Sequence, residues 1–257
     1  MVQNAGLPSV RTVGVMAPFR WLAGGWQDFL KAPGPCLFYG AALAVTSIGF
    51  TWAFIESNAA FWALAMTCGF VFIAPMLAMG LYEAGRLLEA GQTPTLARML
   101  FLRHAVRQDV IYLGLALLMI YLLWGRIAQL VYGLSTYQYH RTVQAFIHFA
   151  LTDPEGQTMA IANILTGGVI AFFTYAIVVI AAPMLVEPQN NVFAATVTSF
   201  TAVAQNFLPM LLWAFLIVAL LVSTIPTGFI SLTVIFPWLG LASWRAYRDL
   251  VVTDEQR

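Results

Sequence analysis

A chain of 257 residues with 61% hydrophobic and only 9% charged side chains cannot cover a water-facing surface. A soluble domain carries about 45–50% apolar and about 25% charged residues. The formal charge of +1 excludes a strongly basic nucleic-acid binder. Cys36 and Cys68, the two cysteines, lie inside apolar runs, so no disulfide framework or zinc cluster is indicated. Composition implies an all-α, polytopic membrane protein.

The N-terminal segment, residues 1–35, lacks the uninterrupted apolar core and cleavage site of a signal peptide. Phe19, Leu22, Trp26 and Phe29 recur at helical spacing with Arg20, Gln27 and Lys31 between them, which predicts a helix lying on the inner face of the membrane. About 20 apolar residues cross a hydrocarbon core. On that criterion spans are predicted near 36–55, 60–82, 110–131, 163–186, 207–223 and 228–244. Glu56, Glu83 and Glu187 close the first, second and fourth, and no charge occurs from 188 to 244. Ser223 to Gly228 is the turn between the last two spans, because Pro and Gly punctuate helices. The whole of 1–257 reads as one six-span domain with a cytoplasmic tail at 245–257.

Orientation follows from Lys and Arg in the short loops. Arg11, Arg20, Lys31, Arg86, Arg98, Arg103, Arg107, Arg245, Arg248 and Arg257 fall on one side, and only Arg126 and Arg141 on the other. Both termini are therefore expected in the cytoplasm. Trp21, Trp26, Trp52, Trp62, Trp124, Trp238 and Trp244 lie near predicted span ends, as in an aromatic belt, and Trp213 lies well inside one.

A repeat is visible in the pattern. Pro75, Pro183 and Pro237 each sit near the cytoplasmic end of a returning span, and amphipathic lead-ins (18–31, 94–107, 192–206) precede the odd ones. Three hairpins, each with an interfacial lead-in helix, are expected, and a true repeat predicts pseudo-threefold packing. Gly40 with Ala44, Ala65 with Gly69, Ala74 with Ala78 and Gly167 with Ala171 have the four-residue spacing of close helix packing, read as contacts within the chain. The periplasmic segment, 125–162, breaks the pattern. It holds Tyr132, Tyr137, Tyr139, His140, Arg141 and His148, of which Tyr137, Tyr139, His140, Arg141 and His148 are the candidate docking residues. Asp153 and Pro154 then form a helix start.

Chemistry-bearing residues are scarce at membrane depth. His104, His140 and His148 all fall outside the predicted spans, so no haem pair on facing helices is expected. No metal, cofactor or catalytic residue is assigned, and no phosphate loop or nucleophile elbow is present. Glu83, Glu187 and Asp249 end the three returning spans. They could line an inner vestibule, but the preferred reading puts each in water beside a base, Arg86 three residues after Glu83 and Arg245 four before Asp249.

Pro75 to Arg86, with Gly80-Leu81-Tyr82-Glu83 its most specific block, continues through Glu89, Gly91 and Pro94. This stretch resembles the signature of the proteobacterial inner-membrane family catalogued as domain of unknown function 2189. Trp21 to Lys31, Ser199, Asn206, Trp213, Pro237, Gly240, Trp244, Tyr247, Arg248 and Asp249 resemble it too, so the likeness spans nearly the whole chain. Pro183 opens a second Pro-Met-Leu, after which Glu187-Pro188 stands where a charged pair is expected. The resemblance implies six spans and an inner-membrane location without an established activity. Some members carry a label as a cytochrome c oxidase subunit. The expectation is a non-catalytic accessory, structural or assembly subunit of a respiratory-type complex. Its partners would be the lipid bilayer and other membrane subunits, with bound lipid or quinone open. The alternative is a small-solute or ion channel or permease.

Overall fold

In a computed structural model the described residues are 7–56, 70, 72–101, 107–136, 140 and 142–252. Their regular structure is helical apart from one two-residue ladder, in which β1 (Ser9–Val10) pairs antiparallel with β2 (Val251–Val252). The helices are α1 (Ala17–Lys31), α2 (Pro33–Glu56), α3 (Met79–Glu89), α4 (Leu96–Leu100), α5 (Gln108–Ser135), α6 (Val143–Thr152), α7 (Pro154–Val178), α8 (Ala181–Met184), α9 (Val192–Gln205), α10 (Phe207–Val222) and α11 (Leu232–Leu250). Among the described residues four segments are long and apolar enough to cross a membrane: Pro33–Ala53, Gln108–Ser135, Pro154–Met184 and Phe207–Thr227. These coincide with the first, third, fourth and fifth predicted spans. Most of the second, 60–82, lies outside the described residues. Its visible end is helical over 72–77, turns at Ala78 and continues as α3. The sixth expected span, 228–244, falls on the turn at 228–231 and the front of α11, a 19-residue helix that carries Arg245, Arg248 and Asp249 and is not among those four apolar segments.

Local chemistry sets the ends. The side chain of Thr95 caps α4, Thr142 caps α6 and Asn191 caps α9, each accepting a backbone N–H three residues on. Pro154, after Asp153, opens α7 as the sequence predicts. Two lead-in helices meet their spans through one-residue breaks, Ala32 between α1 and α2 and Asn206 between α9 and α10. The third lead-in is only partly seen, because 102–106 lie outside the described residues. The predicted turn holds a 3-10 helix, Ile225–Thr227. Gly228 follows it at φ 58°, a left-handed conformation that suits a residue without Cβ.

The chain forms two compact units, one of residues 1–45, 75–113 and 175–257, the other of 46–74 and 114–174. In the first, α1 packs on α11, α4 on α3 and α9 on α8. The returning segments α3, α8 and α11 also touch one another. Each lead-in helix thus packs on the end of the preceding returning segment, and α1 closes the cycle on the last. Glycines permit the crossings. A Cβ on Gly25 would come within 2.6 Å of the Ala242 backbone, one on Gly40 within 2.1 Å of the Thr233 carbonyl, and one on Gly240 within 2.7 Å of Leu81. The Gly40 stripe therefore serves packing within the chain.

The second unit is built around Phe72, Trp124 and Ala128. A Cβ on Gly167 would meet the Trp124 ring at 2.6 Å. Trp124 is thus a core residue, and so are Trp21 and Trp244 in the first unit, all three buried. Position near a span end predicts a belt for them, but the interior takes them: Gly167 leaves room for the Trp124 ring and Gly85 for that of Trp244, and Trp21 packs edge-on to Trp213. Trp52 is exposed, and Trp62 lies outside the described residues.

Candidate functional site

The first unit gathers the described cations assigned to the cytoplasmic side, Arg11, Arg20, Lys31, Arg86, Arg98, Arg107, Arg245 and Arg248, while Arg126 belongs to the second. Within it a layer of charged side chains ties together the helices that cycle around α3, α8 and α11. Asp28 is 2% exposed. It accepts hydrogen bonds from Arg245 Nε at 2.6 Å and Nη2 at 2.7 Å, and from Lys31 at 2.9 Å. Burial alone would raise its carboxyl pKa, but the bonds from Arg245 and Lys31 outweigh that and hold it below the ordinary value.

A second knot joins α3, α11 and the loop after α8. Glu89 accepts from the Trp244 indole at 3.0 Å and from Arg248 Nε at 2.9 Å. Arg248 also reaches Glu187 at 3.4 Å, and the Tyr247 hydroxyl donates to Glu187 Oε2 at 2.7 Å. Burial and the Glu187 carboxylate push the Tyr247 pKa up, so the hydroxyl keeps its proton and remains a donor. Burial works against charge on Arg248, yet Glu89 and Glu187 win and raise its pKa. Glu83 binds Arg86 through two bonds of 2.7 Å, the bidentate geometry that suits a guanidinium. Arg107 donates to the Glu187 carbonyl at 3.0 Å and to the Asn190 carbonyl. Asp109 accepts from Arg107 at 3.2 Å and from the Val192 N–H at 2.9 Å.

Two sequence expectations are corrected here. Glu83 is 7% exposed and Glu187 lies mostly inside, so these carboxylates are not in water, because the returning segments pack on one another. The expected pairing of Arg245 with Asp249 does not form. Arg245 turns to Asp28, and Asp249 instead takes Arg20 at 3.5 Å and the Trp21 indole at 2.8 Å. The pairing of Glu83 with Arg86 stands as read. Asp28 belongs to no recognisable motif, yet it falls on the stripe Trp21, Leu22, Gly25, Asp28, Phe29 that α1 buries. A carboxylate on the apolar face of an otherwise legible helix was the available signal.

The signature residues fall in this same unit. Gly80 lets α3 approach the Met99 carbonyl, where a Cβ would come within 2.4 Å. Tyr82, Pro183 and Pro237 are buried, and Pro75 lies in the helical stretch 72–77. Trp213 is fully buried with its ring edge-on to Trp21, centroids 5.6 Å apart. Asn206 holds the N-terminal segment in both directions: its Oδ1 accepts from Val13 N at 2.8 Å and its Nδ2 donates to the Arg11 carbonyl at 3.0 Å.

Of the candidate docking residues His140 and His148 are described, both in the second unit. His140 is half-buried, stacked on Phe149 with centroids 4.4 Å apart, and its Nδ1 and backbone N each lie 3.0 Å from the Tyr132 hydroxyl. His148 is exposed beside Thr152 on α6. Tyr137, Tyr139 and Arg141 lie outside the described residues. Among the described residues no three His, Cys, Asp or Glu side chains converge as a metal shell would.

Residues 63–187 match a family model described as a predicted integral membrane protein, domain of unknown function 2189. That is the family the signature resembles, and the match contains the Gly80 to Glu83 block. No curated protein and no solved structure matches the chain.

Proposed function

We propose, from the match of residues 63–187 to a family model described as a predicted integral membrane protein, that the chain is a non-catalytic, six-span protein of the bacterial inner membrane. Both termini lie in the cytoplasm, and the protein serves as an accessory, structural or assembly subunit of an energy-transducing complex. One observation carries the reading. Asp28, Glu83, Glu89, Asp109, Glu187 and Asp249 are each engaged by a cation or an N–H or O–H donor of the same unit. Glu83 is held within α3 by Arg86 and the others tie separate segments together, whereas acid–base chemistry needs a group free to exchange its proton with a substrate.

Large apolar side chains face outward on the span helices, among them Met119, Leu134, Ile164 and Phe215. They suit lipid or the apolar helices of another subunit. The collection of cations in one unit supports an inward orientation for it. The competing reading is a channel or permease. The bulk of Trp21, Trp213, Trp244 and Tyr247 inside the first unit counts against a watery path there.

Three experiments test this. Gentle-detergent purification from native membranes with mass spectrometry is expected to recover respiratory-type subunits in fixed proportion, and recovery of the chain alone would overturn the partner reading. In a variant lacking Cys36 and Cys68, an impermeant maleimide applied to intact spheroplasts is expected to label Gln157→Cys and not Gln92→Cys. The reverse pattern would overturn the orientation. Solute uptake by liposomes containing the purified chain would favour the channel.

A further inference from the structure

The three lead-in helices share a feature that their cyclic placement turns into a surface. Each buries one face in the first unit and leaves the other exposed. Phe19 and Leu30 are exposed on α1, Leu100 and Phe101 at the end of α4, and Phe193 and Phe200 on α9. Phe101 is 80% and Phe193 74% exposed.

Charge on these helices is one-sided. The exposed ionic side chains are Arg20 and Lys31 on α1 and Arg98 on α4. The sole carboxylate of the three, Asp28, is turned inward to Arg245. Arg20 keeps a side chain 70% exposed although it reaches Asp249 at 3.5 Å, a solvent-screened contact that is cheaply exchanged. Lys31 is likewise mostly exposed. Exposed rings beside cations without exposed acids are what an amphipathic helix offers the boundary between acyl chains and negative headgroups.

We propose that α1, α4 and α9 form a collar that binds anionic phospholipid of the surrounding leaflet. The rings and leucines enter the acyl boundary, and Arg20, Lys31 and Arg98 meet the phosphates. This rests on the membrane-spanning reading and adds the lipid class to it. Each cation near an anionic leaflet contributes on the order of fivefold in association, so removing three gives a large, readable change.

The test uses the full chain in nanodiscs of phosphatidylcholine alone and with one quarter phosphatidylglycerol. Wild type is expected to unfold several degrees higher in the anionic discs, and to retain at least tenfold more phosphatidylglycerol than phosphatidylcholine by native mass spectrometry. Arg20→Gln, Lys31→Gln and Arg98→Gln combined should abolish both preferences, and Arg98→Gln alone should reduce them should the triple variant not fold. Equal retention of the two lipids by wild type, or a preference that survives the substitutions, would overturn the collar. So would a dimer in phosphatidylcholine discs that the substitutions dissociate, which would make a second copy the occupant. Failure to insert into either disc would instead sink the membrane-spanning reading itself.

Discussion

Asp28 on α1 and Arg245 on α11 are joined by two hydrogen bonds, 2.6 and 2.7 Å long, across 217 residues of sequence. The pair fastens the first described helix to the last, at the crossing where Gly25 meets Ala242. Arg245 is 45% exposed and Asp28 almost wholly buried, so solvent screens only one side of the contact. A double-mutant cycle with Asp28→Asn and Arg245→Gln should give a coupling of about 1–2 kcal/mol, below the full cost of a buried pair because of that screening. Denaturant unfolding in detergent measures it, and additivity within about 0.3 kcal/mol would refute the tie.

The same carboxyl sets a pH dependence. Its folded pKa lies below the ordinary 3.8, so its stabilising contribution is complete above that value and is lost as pH falls through the folded one. Wild type should therefore lose stability more steeply than Asp28→Asn as pH falls below about 4, the two melting curves converging in stronger acid. Parallel pH profiles for the two proteins would contradict this.

Neighbouring glycines separate packing from backbone freedom. A Cβ at Gly25 would stand 2.6 Å from the Ala242 backbone, whereas one at Gly24 meets only the Arg245 side chain at 3.6 Å. Gly25→Ala should cost about 1–3 kcal/mol by overpacking. Gly24→Ala should be neutral or stabilising by up to about 1 kcal/mol, as expected for a helix interior. Equal melting temperatures for the two variants would show that the α1–α11 crossing is looser than drawn.

Asn206 governs the N-terminal segment. Asn206→Ala removes the bonds to Val13 N and the Arg11 carbonyl, leaving β1 to its two-residue ladder with β2. Two lost hydrogen bonds of about 1 kcal/mol each should speed trypsin cleavage after Arg11 by roughly tenfold or more, because cleavage follows the open population. Cleavage at the wild-type rate would assign Asn206 a role confined to the α9–α10 break.

Hydropathy and punctuation in the sequence determined the class of protein, the four long apolar segments and their approximate ends. They also placed α1 and α9 as lead-ins joined directly to spans. These are local properties: a run of apolar residues, a cap or a proline acts within a turn or two of itself. The pairing of Glu83 with Arg86 was legible for the same reason, since three residues on a helix fix their distance.

What tertiary structure alone decided is partnership. Helical spacing offered Arg245 to Asp249, but the rotation of α11 against α1, set by Gly25 and Ala242, brought it to Asp28 instead. The clasp of β1 on β2, the burial of Trp21 and Trp244, and the closed cycle of lead-in and returning helices arose likewise from crossings between segments far apart in the chain. Which face of a helix is covered depends on what packs against it, and a one-dimensional pattern of hydrophobicity carries no record of the neighbour.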